Sequence, residues 1–154
     1  HAHTHTHAHT HTNIRTHTHT HKVGCFTGYS ALAMASALGD QGRVYTIERD
    51  AEMAGVAREN FAQSPWADRI ALAEGDAVEI LRGLARGDGG AEGGAGGDEE
   101  GRGDEWEGVL PAGMAAGEFD LVFVDANKKQ YSNYFKLVLD GGLLRVGGVL
   151  VERV

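Results

Sequence analysis

The chain has 154 residues, 42% of them hydrophobic, and a formal net charge of −8. That length supports one domain with a core of its own, and the acidic balance excludes a strongly basic nucleic-acid binder or a polybasic membrane anchor. The charge is local: Gly87–Gly108 holds eight acidic residues against one arginine, so it carries −7 of the −8 and leaves the body nearly neutral. The single cysteine, Cys25, allows no internal disulfide. No apolar run approaches the roughly 20 residues needed to cross a bilayer, and the N-terminus has no apolar signal region. A soluble, cytoplasmic protein with no membrane and no nucleic-acid partner is expected.

In chain order, residues 1–22 come first. All nine histidines lie within the first 21 residues, mostly alternating with Thr or Ala. Low-complexity sequence with so little apolar surface is expected to be disordered. The ordered body is expected to begin at Val23, with Val23–Gly24 closing a strand. Tyr29–Leu38 is rich in helix formers and is stopped by Gly39. Arg43–Glu48 is β-branched and aromatic, hence a strand. Ala51–Gln63 has helical spacing, with Asp50 available as N-cap. Ile70–Glu74 reads as a short strand, and Asp76–Arg86 places Ala77, Ile80, Leu81 and Leu84 on one helical face. Gly87–Gly108, with ten glycines in 22 residues, reads as a flexible surface insertion. Phe119–Asp125 is an almost unbroken apolar run of the kind found in a central parallel strand. Tyr131–Leu139 reads as a helix ending at Gly141–Gly142, and Val149–Val151 as the start of a final strand.

Strands alternating with helices predict a doubly wound α/β fold with a mostly parallel sheet. Ligands of such folds bind beyond the carboxyl ends of the strands, where the topology switches. Four places therefore carry the candidate chemistry. Gly24-Cys-Phe-Thr-Gly28 joins a strand end to a helix start, where glycines let a ligand approach the backbone and the helix offers free N–H groups; a plain tight turn is the competing reading. Glu48 ends the second strand, where a carboxylate can accept from both ribose hydroxyls of a nucleoside, or is merely solvated. The spacing is G-x-x-x-G, not G-x-G-x-x-G, which counts against a dinucleotide and favours an adenosyl ligand without pyrophosphate. Asp76, followed by Ala77, can accept from an adenine amino group or cap a helix, and both uses are compatible. Asp125-Ala-Asn-Lys128 follows the strongest strand, where a carboxylate suits a hard divalent cation and a lysine can act as general base; a solvated charged loop is the alternative.

The stretches VGCFTGYSALAMA, GRVYTIERD, ADRIALAEGDA and FDLVFVDANKKQYSNYFKLVLDGGLLRVGGVLV resemble the cation-dependent caffeoyl-CoA and catechol O-methyltransferases. The resemblance spans Val23 to Val151 apart from the glycine-rich insertion, as a partial methyltransferase domain over 23–154 that is incomplete at both ends. It implies a Rossmann-like fold and S-adenosylmethionine as methyl donor. Gly24, Phe26, Thr27, Gly28, Tyr29 and Ser30 would line its methionine portion, Glu48 would hold the ribose, and Asp76 and Ala77 the adenine. Asp125 would lie near the methionine amino group and ligate a divalent metal, usually magnesium, and Lys128 would take the proton of a phenolic acceptor. The family is often homodimeric, but the N-terminal helices that shape its dimer do not appear in this sequence.

The departures are specific. Lys22 stands where the family has an acidic residue before V-G. Asn127 replaces a commonly acidic residue. The family pattern continues G-G-x-x-x-x-D-N with two more metal ligands, whereas this chain reads GGVLVERV, and Glu152 and Arg153 fall near that position without reproducing it. Two readings follow: an S-adenosylmethionine-dependent O-methyltransferase acting on a catechol-like or caffeoyl-type phenol, with little magnesium-dependent turnover expected, or an inactive fragment that at most binds the donor.

Overall fold

A computed structural model describes residues 18–86 and 118–153. Within them the order is β1 (His19–Val23), α1 (Tyr29–Ala37), β2 (Arg43–Glu48), α2 (Ala51–Ala62), β3 (Ile70–Glu74), α3 (Ala77–Arg86), β4 (Phe119–Val124), α4 (Tyr131–Asp140) and β5 (Leu144–Glu152). All four strand pairings are parallel, in the order β3-β2-β1-β4-β5. The chain winds outward from β1 through β2 to β3, then returns to the other side of β1 for β4. The topology therefore switches between β1 and β4, as the alternation of strands and helices predicts.

Because side chains alternate across a strand, the paired registers sort the residues into two layers. His21, Tyr45, Val23, Ile47, Val122 and Val124 face α3 and α4, packing with Ile80, Leu81, Leu84, Tyr134 and Val138. Val44 faces the other layer with Ala31, Ala35, Ala57 and Phe61 of α1 and α2. Alanines dominate that second interface, so the helices approach the sheet closely. Asp50 caps α2 as expected, its Oδ1 accepting from Glu52 N at 2.9 Å and Met53 N at 3.1 Å.

Two boundaries differ from the sequence reading. The body does not begin at Val23: His19–Lys22, assigned above to a disordered tract, form the central strand, and Thr20, His21 and Lys22 are all buried. Pairing with β2 on one side and β4 on the other supplies the backbone bonds and the burial that composition alone withheld. The remainder of the tract and the insertion Gly87–Gly108 lie outside the described residues. The last strand is also longer than Val149–Val151. It starts at Leu144 and runs through a bulge at Gly147–Gly148, with Leu144 opposite Phe119 and Val149 opposite Leu121. Gly147 takes φ +80° there, which lets the strand absorb extra residues rather than stop. Arg145 reaches across to an ion pair with Asp120, whose side chain is largely buried. Val149 and Val151 extend the α1–α2 side of the sheet beyond those helices and are exposed, and Val146 at the bulge is 99% exposed.

Candidate functional site

At the carboxyl ends of β1, β2, β3 and β4, over the switch point, lies a cavity of about 300 Å³. Its wall contains six of the residues singled out from sequence: Gly24, Phe26, Glu48, Asp76, Ala77 and Asp125. They come from four separate βα junctions, and only the parallel sheet brings them together.

Gly24 follows β1 with φ +94°, and a Cβ there would collide with the carbonyl of Asp125. Glycine is thus required both for the backbone turn and for the close approach of β1 and β4. Phe26 has φ +55°, an uncommon and costly conformation for a bulky residue. Glu48 holds it there. Glu48 Oε2 accepts from Phe26 N at 2.6 Å and Cys25 N at 3.2 Å, while Oε1 accepts from Arg49 N at 2.9 Å and Asp50 N at 3.0 Å. A carboxylate has about four lone-pair positions, so all of its acceptor capacity is engaged in stitching the β1–α1 turn to the β2–α2 turn. The simple alternative of a solvated strand-end glutamate is therefore wrong.

Asp76 caps α3, its Oδ1 accepting from Val78 N at 2.8 Å and Glu79 N at 3.3 Å. Its other oxygen lacks any such bond to the helix, so the capping role leaves acceptor capacity at the cavity wall. Thr27, Gly28, Tyr29 and Ser30 are not in the wall. Gly28 is the N-cap of α1 at φ +88° and packs on the Phe61 ring, Thr27 O accepts from Asn60 Nδ2 at 2.9 Å, and Tyr29 is 82% exposed. Lys128 is exposed at the start of a 3₁₀ turn, Lys128–Gln130, that is capped by Asn127 Oδ1 accepting from Lys129 N at 3.1 Å. It stands one residue from the wall, which includes Ala126 and Asn127.

Besides Ile47 of β2, three polar wall residues were not foreseen: Arg49, Gln130 and Tyr134. Arg49 directly follows Glu48, and its position beyond a strand end is a signal the strand rule could have used. Tyr134 sits on the apolar face of α4 and reads from sequence as core. It is buried, and burial, reinforced by the negative charge of Asp76, raises its phenol above the ordinary range.

Around Asp125 the charges differ from expectation. Arg153 Nη1 lies 3.4 Å from Asp125 Oδ2. Lys22, buried at the end of β1, donates from Nζ to the carbonyl of Gly24 and lies 5.9 Å from the Phe123 ring centroid. Burial lowers its ammonium below the ordinary lysine range, and Asp125 is the foremost group opposing that shift. Burial likewise raises the Cys25 thiol. Among the described residues, no three His, Cys, Asp or Glu side chains converge in a way that could hold a metal. A donor set of one carboxylate flanked by a guanidinium and an ammonium does not fit magnesium, which requires about six oxygens in near-octahedral array.

The described helices include none long and apolar enough to cross a membrane. The profile of the O-methyltransferase family matches residues 11–92 and 107–152. The chain is 32% identical over 141 residues to a catechol O-methyltransferase of Niastella koreensis, covering 85% of this chain and 52% of that one. It is 38% identical to the mouse catechol O-methyltransferase domain-containing protein 1, covering 83% of this chain and 38% of that protein. Its fold superposes with a TM-score of 0.63 on the O-methyltransferase TomG of Streptomyces achromogenes, crystallised in complex with SAM, at 31% identity and covering 86% of this chain and 47% of that one. The chain thus spans about half the length of such relatives, or less. The five-stranded parallel sheet, the cavity at its switch point and a family match over most of the sequence agree, and the chain belongs to the O-methyltransferase family.

Proposed function

We propose that this chain binds S-adenosylmethionine in the cavity at the strand ends and transfers its methyl group to a hydroxyl oxygen of a catechol-like or caffeoyl-type phenol. The observation that carries the reading is the convergence of Gly24, Glu48, Asp76 and Asp125 on one cavity at the topological switch. In this reading the adenine lies by Asp76 and Ala77, the ribose by Glu48, and the methionine portion by Gly24 and Asp125. Glu48 then has two tasks, because its oxygens already order the turn that the donor must meet; ribose hydroxyls share or displace the bonds from Cys25 and Phe26. Transfer forms a C–O bond to the acceptor and breaks the methyl C–S bond, whose electron pair stays on sulfur as the sulfonium becomes a neutral thioether. The hydroxyl proton leaves to water, or to Lys128 where its amine is in the neutral form, before or as the oxygen attacks. Positioning and electrostatics supply the acceleration, as methyl transfer asks for in-line approach.

The test is isothermal titration calorimetry with S-adenosylhomocysteine and S-adenosylmethionine against wild type and Glu48→Ala. Losing a charged acceptor should cost about 1.5–3 kcal/mol, roughly tenfold or more in affinity. Equal affinities in the two proteins would remove Glu48 from the site, and no binding by wild type would sink the donor reading.

A further inference from the structure

Asp125 is the only carboxylate that the β4 end brings to the cavity, and two cations already attend it. Arg153 is not a loosely placed side chain. Its N–H donates to Val124 O at 3.0 Å, continuing the β4–β5 ladder, and its carbonyl accepts from Tyr131 Oη at 3.3 Å. Its backbone is thus held from both sides, and its guanidinium pairs with Asp125 through one of five N–H donors and remains 70% exposed. Lys22 approaches from beneath, anchored on the Gly24 carbonyl that itself borders the cavity. Glu48 also acts on Lys22, and Glu152 stands with Asp125 and Arg153 around Tyr131, so what sets this corner apart is the Arg153–Asp125 pair and not a net charge. A divalent cation at Asp125 must compete with the guanidinium for the carboxylate, while an anion meets unused guanidinium donors, a group suited to oxyanions and always charged.

We propose that Arg153, with Lys22 beneath it, supplies at Asp125 the fixed positive charge that a divalent cation would otherwise bring, so that the site is closed to metal and takes its acceptor through a single anionic oxygen, an ionised phenol, rather than through a chelating pair. The acceptor half rests on the methyl-transfer reading, whereas the exclusion of metal does not.

Manganese serves as the probe for metal, by its electron paramagnetic resonance signal, with wild type, Asp125→Asn and Arg153→Asp titrated in parallel and their folding checked by circular dichroism. Histidine and acidic segments elsewhere bind equally in all three and cancel in the comparison. Wild type and Asp125→Asn should give superimposable curves, and Arg153→Asp, which sets a second carboxylate beside Asp125, should gain a manganese site at least tenfold tighter. A wild-type site lost in Asp125→Asn would overturn the proposal, as would an Arg153→Asp variant no tighter than wild type. For the acceptor, 4-nitrophenolate is titrated by its visible absorbance, with and without S-adenosylhomocysteine, into wild type and Arg153→Ala. Binding at least fivefold weaker in the variant supports the anionic acceptor, and equal or undetectable binding to both proteins overturns that half. Calorimetry with S-adenosylhomocysteine reports separately on the donor reading, since the manganese experiment needs no donor.

Discussion

His21 should make the fold acid-sensitive. Its ring is fully buried in the central strand, edge-on to Phe119 with centroids 4.8 Å apart, and neither ring nitrogen has a hydrogen-bond partner. Burial in that apolar layer lowers its pKa from 6.5 to about 4. The folded protein thus holds the ring neutral where the unfolded chain protonates it. Folded-state depression means the contribution is fully present above pH 6.5 and is lost as pH falls toward 4. The linkage amounts to about 2 kcal/mol at pH 5 and about 3 kcal/mol at pH 4, a large share of the 5–15 kcal/mol typical of a domain. In His21→Leu, a substitution of similar volume, this term is gone. Urea denaturation of both proteins at pH 7, 6, 5 and 4 measures it, and the difference between their slopes against pH is the quantity of interest, because all other histidines and carboxylates are common to both. Wild type should lose about 2 kcal/mol more than the variant between pH 7 and 5. Parallel pH profiles would refute the reasoning and mean that the ring reaches water or a partner when protonated.

Other substitutions separate structural from binding roles. Asp76→Ser keeps a helix cap and should leave stability nearly unchanged, whereas Asp76→Ala should cost about 1 kcal/mol in a thermal melt. If Asp76 also meets the adenine, Asp76→Ser still weakens S-adenosylhomocysteine binding in calorimetry; unchanged affinity would confine Asp76 to capping. Gly24→Ala faces both φ +94° and the Asp125 carbonyl, and should lose about 1–3 kcal/mol by urea titration. A neutral result would show that β1 and β4 can part at the switch point.

Much of the architecture was legible in the sequence because local rules wrote it. Periodicity, Asp50 before α2 and Gly141–Gly142 after α4 mark elements from short-range chemistry, and the alternation of strands with helices dictates a parallel sheet. The same rules place Gly24, Glu48, Asp76 and Asp125 at strand ends, where a doubly wound fold binds its ligand. What the sequence could not decide depended on partners distant in the chain. His19–Lys22 has the composition of a disordered tract, yet it forms the central strand because β2 and β4 pair with both of its edges. Gly147–Gly148 looks like a break, and becomes a bulge only because β4 continues alongside. Glu48 could be assigned to a strand end but not to its four backbone donors, which arrive from two turns. Lys22 and Arg153 stand out in the sequence as departures from the family pattern, but their common bearing on Asp125 arises only where β1, β4 and β5 lie side by side. Coulombic interaction depends on distance in space, and only the packed sheet sets the distance from each of them to Asp125.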